Sequence, residues 1–108
     1  MAYGTLTPFE LKARLDSGEK IQIIDIREPH ERAIAKFPEA KPMPIGQIAR
    51  RCDELDPELD TVFICKIGTR SIFAINALFE TGYSGKVYNL QDGINGWARD
   101  IDNSLPRY

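Results

Sequence analysis

Two short runs constrain the fold most: IQIIDI at 21–26 and TVFIC at 61–65. Both are nearly continuous in apolar, largely β-branched residues, and they lack the polar alternation of a strand with one wet face. Such runs mark strands covered on both sides. Helical patterns alternate with them. TPFELKARLDSG (7–18) has Thr7 as cap, Pro8 at the first helical position, Glu10 three residues beyond the cap and Gly18 as terminator. Phe9, Leu11 and Leu15 supply its apolar positions, and Leu11 and Leu15, four apart, share a face that can pack on a core. SIFAINALFETG (71–82) reads as an apolar helix ended by Gly82, KVYNL (86–90) as a further strand, and INGWARDI (94–101) as a short closing helix. Strands alternating with helices need crossover connections, so an α/β fold with a central, mainly parallel sheet flanked by helices is predicted. In such sheets, sites form at the carboxyl ends of the strands.

The segment between the first two strands is less regular. REPHERAIAKFPEAKPMP (27–44) holds four prolines and reads as connection, with one helical turn near Glu31–Ala35 and a short extended piece before Pro44. GQIARRCDEL (46–55) resumes a helix in which Ile48, Cys52 and Leu55 fall on one face, which makes Cys52 a core residue. With 108 residues, one domain over 1–108 is expected. A net charge of −2 without a Lys/Arg block gives no electrostatic footprint for nucleic acid. No apolar stretch approaches the roughly 20 residues that span a bilayer, and MAYGTLTPFELKARL lacks a signal core, so no membrane partner and a cytoplasmic setting are expected. Two cysteines outside any CxxC pair and a single histidine, His30, support neither a disulfide nor a metal site.

ICKIGTRS (64–71) is the segment with chemistry in it. Cys65 closes a buried strand, Ser71 opens a helix, and residues 66–70 turn the chain between them. That geometry gathers backbone N–H groups beside the positive end of a helix, a cradle for an anion. Lys66 and Arg70 add cations that favour a thiolate, Gly68 supplies a residue tolerant of positive φ, and Thr69 and Ser71 offer hydroxyl donors or a cap. Strand, loop and charges leave two readings of Cys65 open: a nucleophile, or the small buried hydrophobe that cysteine often is. Asp25 and Arg27, at the end of the first strand, either brace the loop by hydrogen bonds or form a structural ion pair. His30 reads as an exposed loop residue, and Trp97 with Ile94 as a core anchor.

Four ordered pieces, IIDIREPHE (23–31), FPEAKPMPI (37–45), VFICKIGTRS (62–71) and VYNLQDGINGW (87–97), resemble the rhodanese domain, the single-domain sulfurtransferase family, across nearly the whole chain. The resemblance implies a rhodanese-like three-layer sandwich with a central mainly parallel sheet, and a persulfide on Cys65 during turnover. It departs from the family pattern at two turns. Ala35–Ala40 stands where the family has Gly-His-Ile-Pro-Gly-Ala, and Asp92-Gly93 where it has two glycines.

Loop length separates sulfur from phosphoryl transfer. Cys65 to Arg70 is C-x4-R, one residue shorter than the C-x5-R of cysteine phosphatases, and a ring that suits one sulfane sulfur is narrower than one that surrounds a phosphoryl group. The expected activity is rhodanese-type sulfur transfer: Cys65 takes sulfur from a small anionic donor such as thiosulfate, or from a protein persulfide, and passes it to a thiophilic acceptor. Residues 66–70 would form the substrate-binding loop, Ser71, Asp25 and Arg27 would support it, and no cofactor is needed. The ending GWARDIDNSLPRY resembles rhodanese domains fused to the adenylyltransferases of molybdopterin and thiamine biosynthesis. That resemblance implies an adenylyltransferase domain and a ubiquitin-like sulfur carrier as partners. A noncatalytic interaction module is the alternative of a different class.

Overall fold

The computed structural model describes residues 2–108. Five strands, β1 (Gly4–Leu6), β2 (Ile21–Asp25), β3 (Lys41–Pro42), β4 (Asp60–Ile64) and β5 (Val87–Leu90), form one sheet in the order β1-β5-β4-β2-β3. Every pairing is parallel. The helices are α1 (Pro8–Asp16), α2 (Pro29–Ile34), α3 (Ile48–Arg51), α4 (Arg70–Glu80) and α5 (Gly93–Asp100).

Period-two alternation along the central strands divides the interior into two cores. Ile24, Phe63 and Cys65 face one way and pack with Ile48 of α3 and Ala74, Ile75 and Leu78 of α4. Ile23, Val62 and Ile64 face the other way and meet Leu11 of α1 and Ile94 and Trp97 of α5. The result is the expected α/β sandwich of three layers, with β4 at its centre. The first helix follows its signals closely: Glu10 N–H donates to Thr7 Oγ1 at 3.1 Å, Thr7 N–H donates to Glu10 Oε1 at 2.9 Å, and Gly18 adopts φ +84° after the last turn.

Four differences from the sequence expectation have physical causes. β1 is a three-residue edge strand, too short for a periodic pattern, and pairs only with β5. Residues 45–54 form a four-residue α-helix between two 3-10 turns rather than one continuous helix, and Cys52 is half-buried at the margin of the α4-side core. The proline-rich connection is not all surface: Ala35, Phe37 and Met43 are buried, and Phe37 packs at a tilt against Trp97 with ring centroids 4.7 Å apart. Phe9 is 61% exposed, because Pro8 and Leu11 occupy the inward face of α1. At the two turns that depart from the family pattern, Glu39 (φ +62°) and Asp92 (φ +61°) adopt the left-handed conformation that glycine favours.

Candidate active site

The carboxyl edge of the sheet brings three connections together. β4 ends at Ile64, and residues 65–69 turn directly into α4. This turn lies on the one between β5 and α5: Ile94 N–H donates to Cys65 O at 2.8 Å, and Asn95 N–H donates to Lys66 O at 3.1 Å. Gly93 makes the approach feasible. It has φ +58°, and a Cβ there would lie 2.4 Å from Cys65 O and 2.6 Å from Lys66 C. Gly68 has φ +94°, so its N–H turns back towards the cysteine.

Cys65 is wholly buried at the base of this turn. Gly68 N–H donates to its Sγ at 3.1 Å, and the thiol lies 3.5 Å from Ser71 Oγ in the first turn of α4. Ser71 Oγ in turn donates to Asn89 Oδ1, while Asn89 Nδ2 donates to Gly68 O at 2.8 Å. Asn89 therefore ties the start of α4 to the glycine that faces sulfur. The sequence reading missed it. Its signal is a polar residue on the inward side of the apolar run VYNL, where a buried amide needs partners.

The two loop cations have different surroundings. Arg70 is not a free cation: its Nη1 and Nη2 donate to Glu31 Oε1 and Oε2 at 2.7 and 2.5 Å, a two-pronged pair joining α4 to α2. Hydrogen bonds from Arg70 hold the Glu31 carboxyl down from an ordinary 4.5 to about 2, and those to Glu31 raise Arg70. Lys66 has no carboxylate partner among the described residues; its Nζ sits 4.9 Å from the centre of the Tyr108 ring. Ile67 and Thr69 are exposed on the turn, and Thr69 makes no side-chain cap bond, so Ser71 and Asn89 rather than Thr69 organise the helix start.

Asp25 and Arg27 form a fully buried pair and make no hydrogen bond to residues 65–69 among the described contacts. Their link to the loop is indirect. Arg27 Nη1 donates to Tyr108 Oη at 2.8 Å and to Glu31 O at 3.4 Å, and Tyr108 Oη donates to Glu31 Oε2 at 3.0 Å. Glu31 and Tyr108 thus join the buried pair to Arg70, and the sequence reading named neither for that part. His30 is exposed in the first turn of α2, and Trp97 with Ile94 is buried in the α5-side core.

Glu31→Gln tests the brace. A depressed carboxyl contributes stability above its unfolded value, and that contribution is lost as pH falls from near 4.5 towards about 2. The expected loss in the variant is about 1–2 kcal/mol at pH 7, because Arg70 is 40% exposed and water screens the pair. Urea unfolding of wild type and variant should converge towards pH 2; a gap that persists undiminished there would show that the charge pair is not its source.

Among the described residues no helix is long and apolar enough to cross a membrane. The chain is 39% identical over 89 residues to a sulfurtransferase of Allochromatium vinosum, covering 82% of each protein. It is 36% identical over 106 residues to the probable adenylyltransferase/sulfurtransferase MoeZ of Mycobacterium tuberculosis, covering 96% of this chain but only 27% of that protein. The thiosulfate sulfurtransferase of Pseudomonas aeruginosa superimposes with a TM-score of 0.82 at 26% identity, over 96% of this chain and 20% of that one. A rhodanese-like domain model matches residues 7–100. The chain belongs to the rhodanese-like domain family, among relatives named as sulfurtransferases.

Proposed function

We propose that this chain transfers sulfane sulfur through a persulfide on Cys65. The observation that carries the proposal is the Gly68 N–H held 3.1 Å from Sγ in a turn that opens α4. A donor N–H and a helix start stabilise negative charge on sulfur, both as thiolate and as persulfide. With thiosulfate, the Cys65 thiolate attacks the outer sulfur. The Sγ–S bond forms, the bond from that sulfur to the sulfonate sulfur breaks, and sulfite leaves with the electron pair. An acceptor thiolate then attacks the outer sulfur, forming its own S–S bond and returning Cys65 as thiolate. Arg70, committed to Glu31, is not free to clamp a phosphoryl group, which supports sulfur over phosphoryl transfer.

The likeness to MoeZ over nearly all of this chain supports a finer reading, in which an adenylyltransferase domain presents a ubiquitin-like sulfur carrier as acceptor. The proposed chemistry suits a reducing, cytoplasmic setting, where Cys65 stays a free thiol able to take up sulfur. The test is intact mass after thiosulfate treatment. A gain of one sulfur is expected in wild type and Cys52→Ser and none in Cys65→Ser; an adduct that survives Cys65→Ser refutes the mechanism.

A further inference from the structure

We infer that Tyr108 is a positioning residue whose ring seats Lys66 as the receptor for the anionic group of an incoming substrate. The inference rests on the proposed chemistry at Cys65 and adds which residue meets the substrate's charge and what holds that residue in place. Of the two cations flanking the turn, Arg70 is paired with Glu31, whereas Lys66 has no carboxylate partner among the described residues. Lys66 is therefore the loop cation whose charge is left for a ligand. A lysine on four flexible bonds loses much of its directing power unless its ammonium is localised. The Tyr108 ring localises it: Nζ lies 4.9 Å from the ring centre, within the range where an aromatic face attracts a cation. A ring face also leaves the ammonium's N–H donors free, which a carboxylate would not.

The ring itself is fixed on three sides. Its hydroxyl accepts from Arg27 Nη1 at 2.8 Å and donates to Glu31 Oε2 at 3.0 Å, and its backbone N and O lie 3.5 Å from the side-chain amide of Asn95. Burial is the main influence raising the Tyr108 phenol above its ordinary 10, which keeps it protonated as the donor to Glu31. Arg27, whose guanidinium carbon lies 5.7 Å from the ring centre, is already saturated by Asp25, Ala35, Glu31 and the Tyr108 hydroxyl. Of the two cations beside the ring, Lys66 is thus the one with N–H donors free for an anion.

The test uses two reagents of similar size on Cys65, iodoacetate (anionic) and iodoacetamide (neutral), in a Cys52→Ser background at low salt, read by intact mass. Tyr108→Leu is expected to lower the iodoacetate-to-iodoacetamide rate ratio by about two- to fivefold, as Lys66→Ala should. The double variant should fall no further than the lower of the two singles, and Tyr108→Phe, which keeps the ring but loses the hydroxyl's bonds to Arg27 and Glu31, should fall between wild type and Tyr108→Leu. An unchanged ratio in Tyr108→Leu, or equal slowing of both reagents, overturns the inference, since equal slowing marks a general loosening of the loop. Additive losses in the double variant overturn it as well. Thiosulfate run in parallel separates the two levels: a ratio that responds to Tyr108 without any sulfur gained by wild type would remove the proposed function and leave the anion receptor standing.

Discussion

Arg27→Met is expected to lower the unfolding free energy by about 3–5 kcal/mol, the usual penalty for stranding one member of a buried ion pair. All five side-chain N–H groups of Arg27 have acceptors: Asp25 Oδ1 at 2.9 Å, Asp25 Oδ2 at 2.7 Å, Ala35 O at 2.6 Å, Tyr108 Oη at 2.8 Å and Glu31 O at 3.4 Å. Burial opposes its charge, yet the hydrogen bonds to Asp25 and Tyr108 hold the guanidinium above its ordinary range. Methionine fills much of the space but leaves the Asp25 carboxylate, 1% exposed, without its main partner. A single-domain protein has only about 5–15 kcal/mol of stability in total, so this is a large share. Asp25→Leu combined with Arg27→Met removes the stranded charge and should recover part of the loss. Urea unfolding measures both. A loss below about 1 kcal/mol in the single variant would mean that water or rearrangement satisfies Asp25, contrary to the geometry.

The same residues mark where the sequence was legible and where it was not. Local chemistry was readable: Thr7, Pro8, Glu10 and Gly18 announce α1, and the apolar run 61–65 announces β4, because caps and short buried strands depend on a few neighbouring residues. The turn from Cys65 into α4 was readable for the same reason, as an interval between a strand end and a helix start. What joins distant segments was not. Asn89 lies 21 residues from the Gly68 carbonyl to which it donates, and Tyr108 lies 77 residues from Glu31. No periodicity records such pairings; only the register of β5 against β4 and the path of the chain after α5 create them. Arg70 shows the consequence. Its position in the motif suggests a cation aimed at substrate, while its fork is closed by a glutamate 39 residues earlier. Glu39 and Asp92 show a further limit, since a residue other than glycine can hold a positive φ where the surrounding turn enforces it.

Gly93→Ala is expected to slow persulfide formation at Cys65 by about tenfold to a hundredfold, whereas Gly18→Ala should leave that rate unchanged in the folded protein. The two glycines share a left-handed conformation, φ +58° and +84°, so the intrinsic backbone cost of a side chain, about 1–2 kcal/mol, is common to both. Their neighbours differ. An added Cβ at Gly18 meets nothing within 4 Å. At Gly93 it would fall 2.4 Å from Cys65 O and 2.6 Å from both Lys66 C and O, and all three are backbone atoms that cannot swing aside as a side-chain tip can. Relief requires the turn to move away from α5, which stretches the Ile94-to-Cys65 and Asn95-to-Lys66 hydrogen bonds of 2.8 and 3.1 Å. That movement shifts the peptide carrying the thiol relative to Gly68 N–H, and a displacement near 1 Å in a reacting group costs on the order of a hundredfold in rate. Single-turnover mass measurements with thiosulfate, at a temperature where circular dichroism shows both variants folded, give the comparison. If Gly93→Ala forms the persulfide as fast as wild type, the contact between the α5 start and the cysteine turn does not hold the nucleophile in place. If Gly18→Ala slows it equally, backbone strain anywhere in the fold, rather than this contact, governs the chemistry.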